Sequence, residues 1–173
     1  VIRGKGGDMG RGAARVIACA SSEDKLAVCR EHGADATINY AAEDLRERIQ
    51  ALTEKRGVDV VYDSGGRDTF DRSLNVLRPR GMLVLFGQSS GAVEPLAPQV
   101  LNARGSLYLT RPSLGDYTAT REEMTWRAGE LFAGIRQGWL KVRIDRALPL
   151  AQAGAAHEAL NSRATIGKVL LLP

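Results

Sequence analysis

The sequence predicts an α/β fold built on a doubly wound parallel sheet. Three observations carry that expectation. Short apolar runs alternate with helical patterns at close spacing over most of the chain. The runs are apolar throughout rather than alternating with polar residues, as in strands of a parallel sheet covered on both faces. The carboxyl ends of these runs are glycine- and serine-rich, as at the ligand-binding edge of such a sheet.

Residues 15–20 (RVIACA) are too short for a core helix and read as a buried strand. Ser21 and Ser22 then offer an N-cap, with Glu23 and Asp24 in the first turn, and the helix runs to Gly33. Residues 36–40 (ATINY) form a second strand. The amphipathic helix over 42–57 sets Leu45, Ile49 and Leu52 on one face, and Gly57 closes it. Residues 58–66 are a third strand ending in a glycine turn, and the helix 68–77 spaces Phe70, Leu74 and Leu77 alike. A turn at 78–81 leads to a fourth strand at 82–87, and a fifth follows at 106–110. After about residue 112 the rhythm changes. A long helix over 120–138, capped by Thr118 or Thr120, precedes a half-exposed strand at 139–145. A helix over 150–164 and a strand at 167–173 end the chain, with no sign of the earlier βαβ winding. The domain division is therefore 1–112 and 113–173.

At 173 residues and 44% hydrophobic content, the chain holds enough apolar material for a real core. No apolar run approaches the roughly 18 residues of a membrane span, and no cleavable leader pattern opens the sequence. Cys19 and Cys29 form no C-x-x-C pair, and the histidines are His32 and His157. Two buried thiols in a reducing, cytoplasmic setting are expected, not a metal site or a disulfide. The net charge of +4 admits an anionic partner, either nucleic acid or a phosphorylated cofactor. A nucleic-acid module built on Arg3, Lys5, Arg11 and Arg15 rests on charge alone.

The amino end carries five glycines among its first twelve residues. Gly6 and Gly7 are candidate phosphate contacts, since glycines joining a strand to a helix cradle phosphate. Yet only Arg11 to Ala14 separate this loop from the first strand. A parallel crossover takes about a dozen residues, and four helical residues rise only ~6 Å. The first βαβ unit thus reads as incomplete over 1–14.

The end of RVIACA is more informative. A pocket for NAD places an acid there to bind the ribose hydroxyls. Here Ser21 and Ser22 stand in that place, and Lys25 follows in the first turn of a helix. That set suits a 2′-phosphate, hence NADP, provided Glu23 and Asp24 point away. The competing reading of Lys25 is an ordinary exposed helix lysine.

Longer motifs add a resemblance. GADATINY, GVDVVYDSGGRDTF, SLNVLRPRGMLVLFGQSSGAV, LNARGSLYLTRPSL, YTATREE and AHEALNSRATIGKVLLLP occur in order over roughly residues 13–173. In these the chain resembles the quinone oxidoreductase (zeta-crystallin-like) branch of the medium-chain dehydrogenase/reductase superfamily. The resemblance implies a Rossmann-like NADP-binding domain over 1–112 and a tail over 113–173 that packs on a catalytic domain. It implies NADPH as cofactor and hydride delivery to a quinone-type acceptor without catalytic zinc. It assigns Ser21 and Lys25 to the 2′-phosphate and Tyr40 to the adenosine end. Phe86 and Gly87 fall along the nicotinamide half, Ser64 on the groove wall, and Arg163 reaches back towards the phosphate. It also implies a homodimer through the edge strand 106–110, which otherwise exposes unpaired backbone groups. No catalytic residue is assigned, since Tyr62 and Asp63 read as structural or groove-lining. Members of the family begin with a catalytic domain about as long as this whole chain, and it is missing here. A truncated, non-catalytic fragment that folds and associates is therefore the alternative, and turnover by this chain alone is expected to be weak or absent.

Overall fold

The computed structural model describes residues 15–162 and 165–173. Gly6, Gly7 and Arg163 lie outside the described residues. The order is β1 (Ile17–Ala20), α1 (Glu23–Glu31), β2 (Ala36–Asn39), α2 (Leu45–Leu52), β3 (Val58–Asp63), α3 (Phe70–Asn75) and β4 (Leu77–Leu85). It continues with α4 (Gln99–Ala103), β5 (Tyr108–Thr110), α5 (Leu114–Tyr117), α6 (Arg121–Arg136), β6 (Ile144–Pro149), α7 (Ala153–Asn161) and β7 (Lys168–Leu172).

Every pairing is parallel, as continuous apolar strands with helical crossovers require. The strands do not form a single ladder, however. β1 pairs with β2, β4 lies between β3 and β5, and β6 pairs with β7, giving three separate ladders among the described residues. The first two are joined by side-chain packing. Ile49 on α2 packs with Ile38 of β2 and Val76, and Ile17 and Cys19 of β1 and Val58 and Val61 of β3 each pack against this cluster. α2 thus spans the seam, held at its start by Asp44, whose side chain accepts from Glu47 N at 2.8 Å.

The second core cluster lies under the β3–β4–β5 ladder. Leu83 is wholly buried at its centre, with Phe70 and Leu74 of α3 and Leu77, Leu85 and Leu107 around it. The opposite face differs from the expectation of full cover. Val60, Met82 and Tyr108 sit side by side in register and are 44%, 38% and 58% exposed. No helix among the described residues covers this row, so the ladder has one dry face and one wet face.

The turn expected at 78–81 is built into β4 instead. Val58 pairs with Leu77 but Val60 pairs with Met82, so these residues bulge opposite Asp59, with Arg80 at φ 59°. Gly57 accepts the bulge closely: at φ 84° a Cβ there would stand 2.8 Å from Arg78 N. Asp59 faces two arginines, Arg56 at 3.0 and 2.7 Å and Arg78 Nε at 2.6 Å. These hydrogen bonds, from Arg56 first and then Arg78, hold its carboxyl well below the ordinary value of 3.8. A depressed carboxyl stabilises the fold fully above its unfolded value and loses that contribution as pH falls towards the folded one. Asp59→Asn should therefore flatten the loss of thermal stability on acidification below about pH 4, and added salt should shrink the difference because the cluster is exposed. Parallel melting curves for the two proteins across pH 2 to 6, roughly the span in which carboxylates titrate, check this.

The tail is a separate arrangement. Thr120 caps α6 with a reciprocal pair, its hydroxyl accepting from Glu123 N at 3.1 Å while the Glu123 side chain reaches Thr120 N. Gly134 is the one buried residue of α6, with the Trp139 ring laid against it. Trp139 turns back onto the helix, which is why the strand expected at 139–145 begins only at Ile144. β6, α7 and β7 then form a parallel strand pair with a helical connection, a winding the sequence did not suggest. Met124, Trp126, Leu131, Phe132 and Ile135 on α6 are all exposed.

Candidate functional site

In a parallel sheet, chemistry gathers at the carboxyl ends of the strands. The register places Ser21 and Tyr40 next to each other, just after the paired Ala20 and Asn39. Tyr40 N donates to Ala20 O at 3.1 Å. The Asn39 side chain accepts from Ala41 N at 3.1 Å, and Asn39 N donates to Glu43, so the turn carrying Tyr40 is closed on both sides. Ser21 is exposed, and Lys25 lies half-buried in the first turn of α1. The N-cap residue Ser22 makes no side-chain cap bond, although its carbonyl accepts from Leu26 N at 3.1 Å. Glu23 is drawn along the helix into an ion pair with Arg30. One of the two acids feared near a phosphate is therefore turned away.

The second group lies at the ends of β3 and β4, where Asp63 and Leu85 are paired. Ser64 and Phe86 follow them and are both exposed, Phe86 at 50%. Gly87 presses on the backbone of Ser64: a Cβ at Gly87 would meet Ser64 O at 2.6 Å and Ser64 Cα at 2.8 Å. Glycine is required there by close approach, and the sequence signal for it was the Phe-Gly step at the end of an apolar strand.

Asp63 is buried. Its carboxylate accepts from Gly65 N and Thr69 Oγ1, each at 2.7 Å, and from Ser73 Oγ at 2.7 Å. Sequence reasoning did not anticipate how many donors converge there, although the spacing of Thr69 and Ser73, one helical turn apart, was a usable signal. The structure thus sets Ser21 beside Tyr40 at one strand end, with Lys25 in the first turn of the helix that follows, and Ser64, Phe86 and Gly87 at another.

A pocket of about 230 Å³ lies elsewhere. It is framed by Glu43, Asp44, Arg46, Arg72 and Asn75 and touches only Tyr40 of the candidate residues. It is smaller and more polar than a typical small-molecule site. Burial raises the pKa of both thiols, Cys19 and Cys29, which disfavours their reactive thiolate form. No group of three or more metal-ligating side chains occurs among the described residues, and no helix among them is long and apolar enough to cross a membrane.

A family model described as "Zinc-binding dehydrogenase" matches residues 9–128. Quinone oxidoreductase 1 of Escherichia coli is 48% identical over 162 residues, covering 92% of this chain and 50% of that protein. This chain belongs to the quinone oxidoreductase branch of the medium-chain dehydrogenases and reductases. Another relative, the 2-haloacrylate reductase of a Burkholderia species, is 42% identical over 161 residues, covering 92% of this chain and 48% of its own length. The solved Escherichia coli quinone oxidoreductase complexed with NADPH superposes with a TM-score of 0.88 at 47% identity, over 92% of this chain and 49% of that one. The chain spans about half the length of the curated relatives it matches. The α/β architecture with parallel strands is that of the Rossmann-like half of these enzymes.

Proposed function

We propose that this chain is the cofactor-binding portion of an NADPH-dependent quinone oxidoreductase. The observation that carries the reading is the convergence of Ser21 and Tyr40 at adjacent strand ends, with Lys25 one turn into the following helix. Three features fit the cofactor. A serine pair stands where an NAD pocket places an acid, Glu23 is engaged by Arg30, and Gly87 lets the loops after β3 and β4 approach closely at Ser64. Lys25 and Ser21 would hold the 2′-phosphate, with Arg163 as a further contact, and Tyr40 would flank the adenosine. Phe86, Gly87 and Ser64 would line the nicotinamide half. Gly6 and Gly7 would approach the pyrophosphate. When bound, NADPH supplies the hydride, so the chain's task is binding and orientation rather than proton transfer.

The acceptor in this reading is a quinone or a similar electrophile. The exposed apolar side of α6 supports the view that 113–173 packs against a further domain that supplies most of the acceptor pocket. The three-residue edge strand β5, with Tyr108 58% exposed, supports a homodimer through that edge. The test is titration of the purified chain with NADPH, followed by cofactor fluorescence, and then NADPH oxidation with a simple quinone. Fluorescence enhancement with little turnover is expected. An absence of binding would remove the cofactor reading. Robust turnover would remove the requirement for a further domain.

A further inference from the structure

We propose that Asp63 is a positioning residue that holds the loops after β3 and β4 as one unit, and so sets the wall of the groove on its nicotinamide side. The inference rests on the cofactor reading above. Asp63 ends β3 and is 5% exposed. Its Oδ1 accepts from Gly65 N at 2.7 Å, Gly66 N at 3.3 Å and Thr69 Oγ1 at 2.7 Å, while Oδ2 accepts from Ser73 Oγ at 2.7 Å. A buried carboxylate is tolerated where donors converge on it in this way. Its carbonyl also accepts from Phe86 N at 2.9 Å and Gly87 N at 3.3 Å. One residue therefore ties the loop at 64–69 through its side chain and the loop at 86–91 through its backbone.

The two loops then close on each other. Ser89 N donates to Ser64 O at 3.1 Å, and Ser90 N and Oγ both donate to Gly65 O, at 2.8 and 2.7 Å. Asp68 N donates to Ser90 Oγ at 3.0 Å, and Arg67 N donates to Gly91 O at 3.1 Å. Ser64 and Phe86, the exposed residues beside Asp63, are what this scaffold presents. A change at the carboxylate should therefore reach Phe86 and Gly87 without touching Ser21, Lys25 or Tyr40.

Asparagine can keep the scaffold, because its carbonyl oxygen still accepts from Gly65 and Gly66 while its amide donates to the Ser73 hydroxyl. Alanine cannot. The experiment measures binding of NADPH and of 2′,5′-ADP, which carries only the adenosine half, to the wild-type chain, Asp63→Ala and Asp63→Asn. Asp63→Ala should weaken NADPH by about tenfold or more and 2′,5′-ADP by less than about twofold, and Asp63→Asn should restore NADPH to within about threefold of wild type. Equal weakening of both ligands would mean a general structural role and overturn the inference, as would no weakening of either.

Amide hydrogen exchange supplies a readout that needs no cofactor. Asp63→Ala should quicken exchange at Ser89 and Ser90 as well as at Gly65 and Gly66, leaving β1 and β2 unchanged. Acceleration confined to Gly65 and Gly66 would overturn the coupling of the loops. If Asp63→Ala does not fold, Thr69→Val and Ser73→Ala each remove one donor and should each weaken NADPH selectively, by about threefold. No selective loss in either would overturn the inference. A wild-type chain that binds neither ligand would instead sink the cofactor reading, and the groove role with it.

Discussion

Lys25→Glu should weaken NADPH binding by roughly tenfold to a hundredfold while leaving NADH within about twofold, because a hydrogen bond to a charged group contributes about 1.5–3 kcal/mol. The two cofactors differ only in the 2′-phosphate, so the comparison isolates the contact at issue. Lys25 sits in the first turn of α1, close in sequence to Ser21, where the helix amides also favour negative charge. The reversal leaves a carboxylate beside Asp24 and Glu23, of which Glu23 is engaged by Arg30. The loss should be largest at low ionic strength, since salt screens an exposed pair. Fluorescence titrations with both cofactors at two salt concentrations check it. Equal losses for NADPH and NADH would remove the 2′-phosphate assignment.

Leu83→Ala should cost about 2–5 kcal/mol of folding stability, a large fraction of the 5–15 kcal/mol typical of a domain. Leu83 is wholly buried in the middle strand of its ladder, paired with Val61 on one side and Leu109 on the other. Its neighbours in the cluster come from α3 and from both ends of β4, so no single side chain can move to fill the void. Met82→Ala, one residue earlier on the wet face, should cost far less because Met82 is 38% exposed. Urea unfolding followed by circular dichroism gives both values. Equal costs would mean that the exposed row is covered in solution.

The strands from residue 15 to residue 87 were legible because apolar runs with glycine ends leave few alternatives. α1 is legible through its capping serines and closing glycine, and α2 and α3 through their apolar spacing, each shorter at its ends than the pattern suggests. α4 and α5 are not, since neither has a buried residue whose periodicity could show. The bulge in β4 was read as a turn because Arg78, Pro79, Arg80 and Gly81 are turn residues. Only the register against β3 reveals that they remain in the strand. At the site, Ser21 and Lys25 are legible as candidates from residue type and position after a strand, and Tyr40 through the family resemblance. The contact between Gly87 and Ser64 is not, because a close approach between two loops leaves no periodic trace. The convergence of donors on Asp63 likewise joins residues up to ten positions apart and appears only once α3 has folded over the end of β3.

The seam between β1 and β3 bears on how the chain comes apart. Backbone hydrogen bonds run within each ladder, whereas the two ladders are held to one another through Ile49 and the apolar side chains around it. Among the described residues, no backbone ladder bridges that seam, only side-chain contacts. The β1–α1–β2 segment is thus expected to open more readily than the Leu83 core. The expected order is that the end carrying Ser21, Lys25 and Tyr40 opens before the Leu83 core.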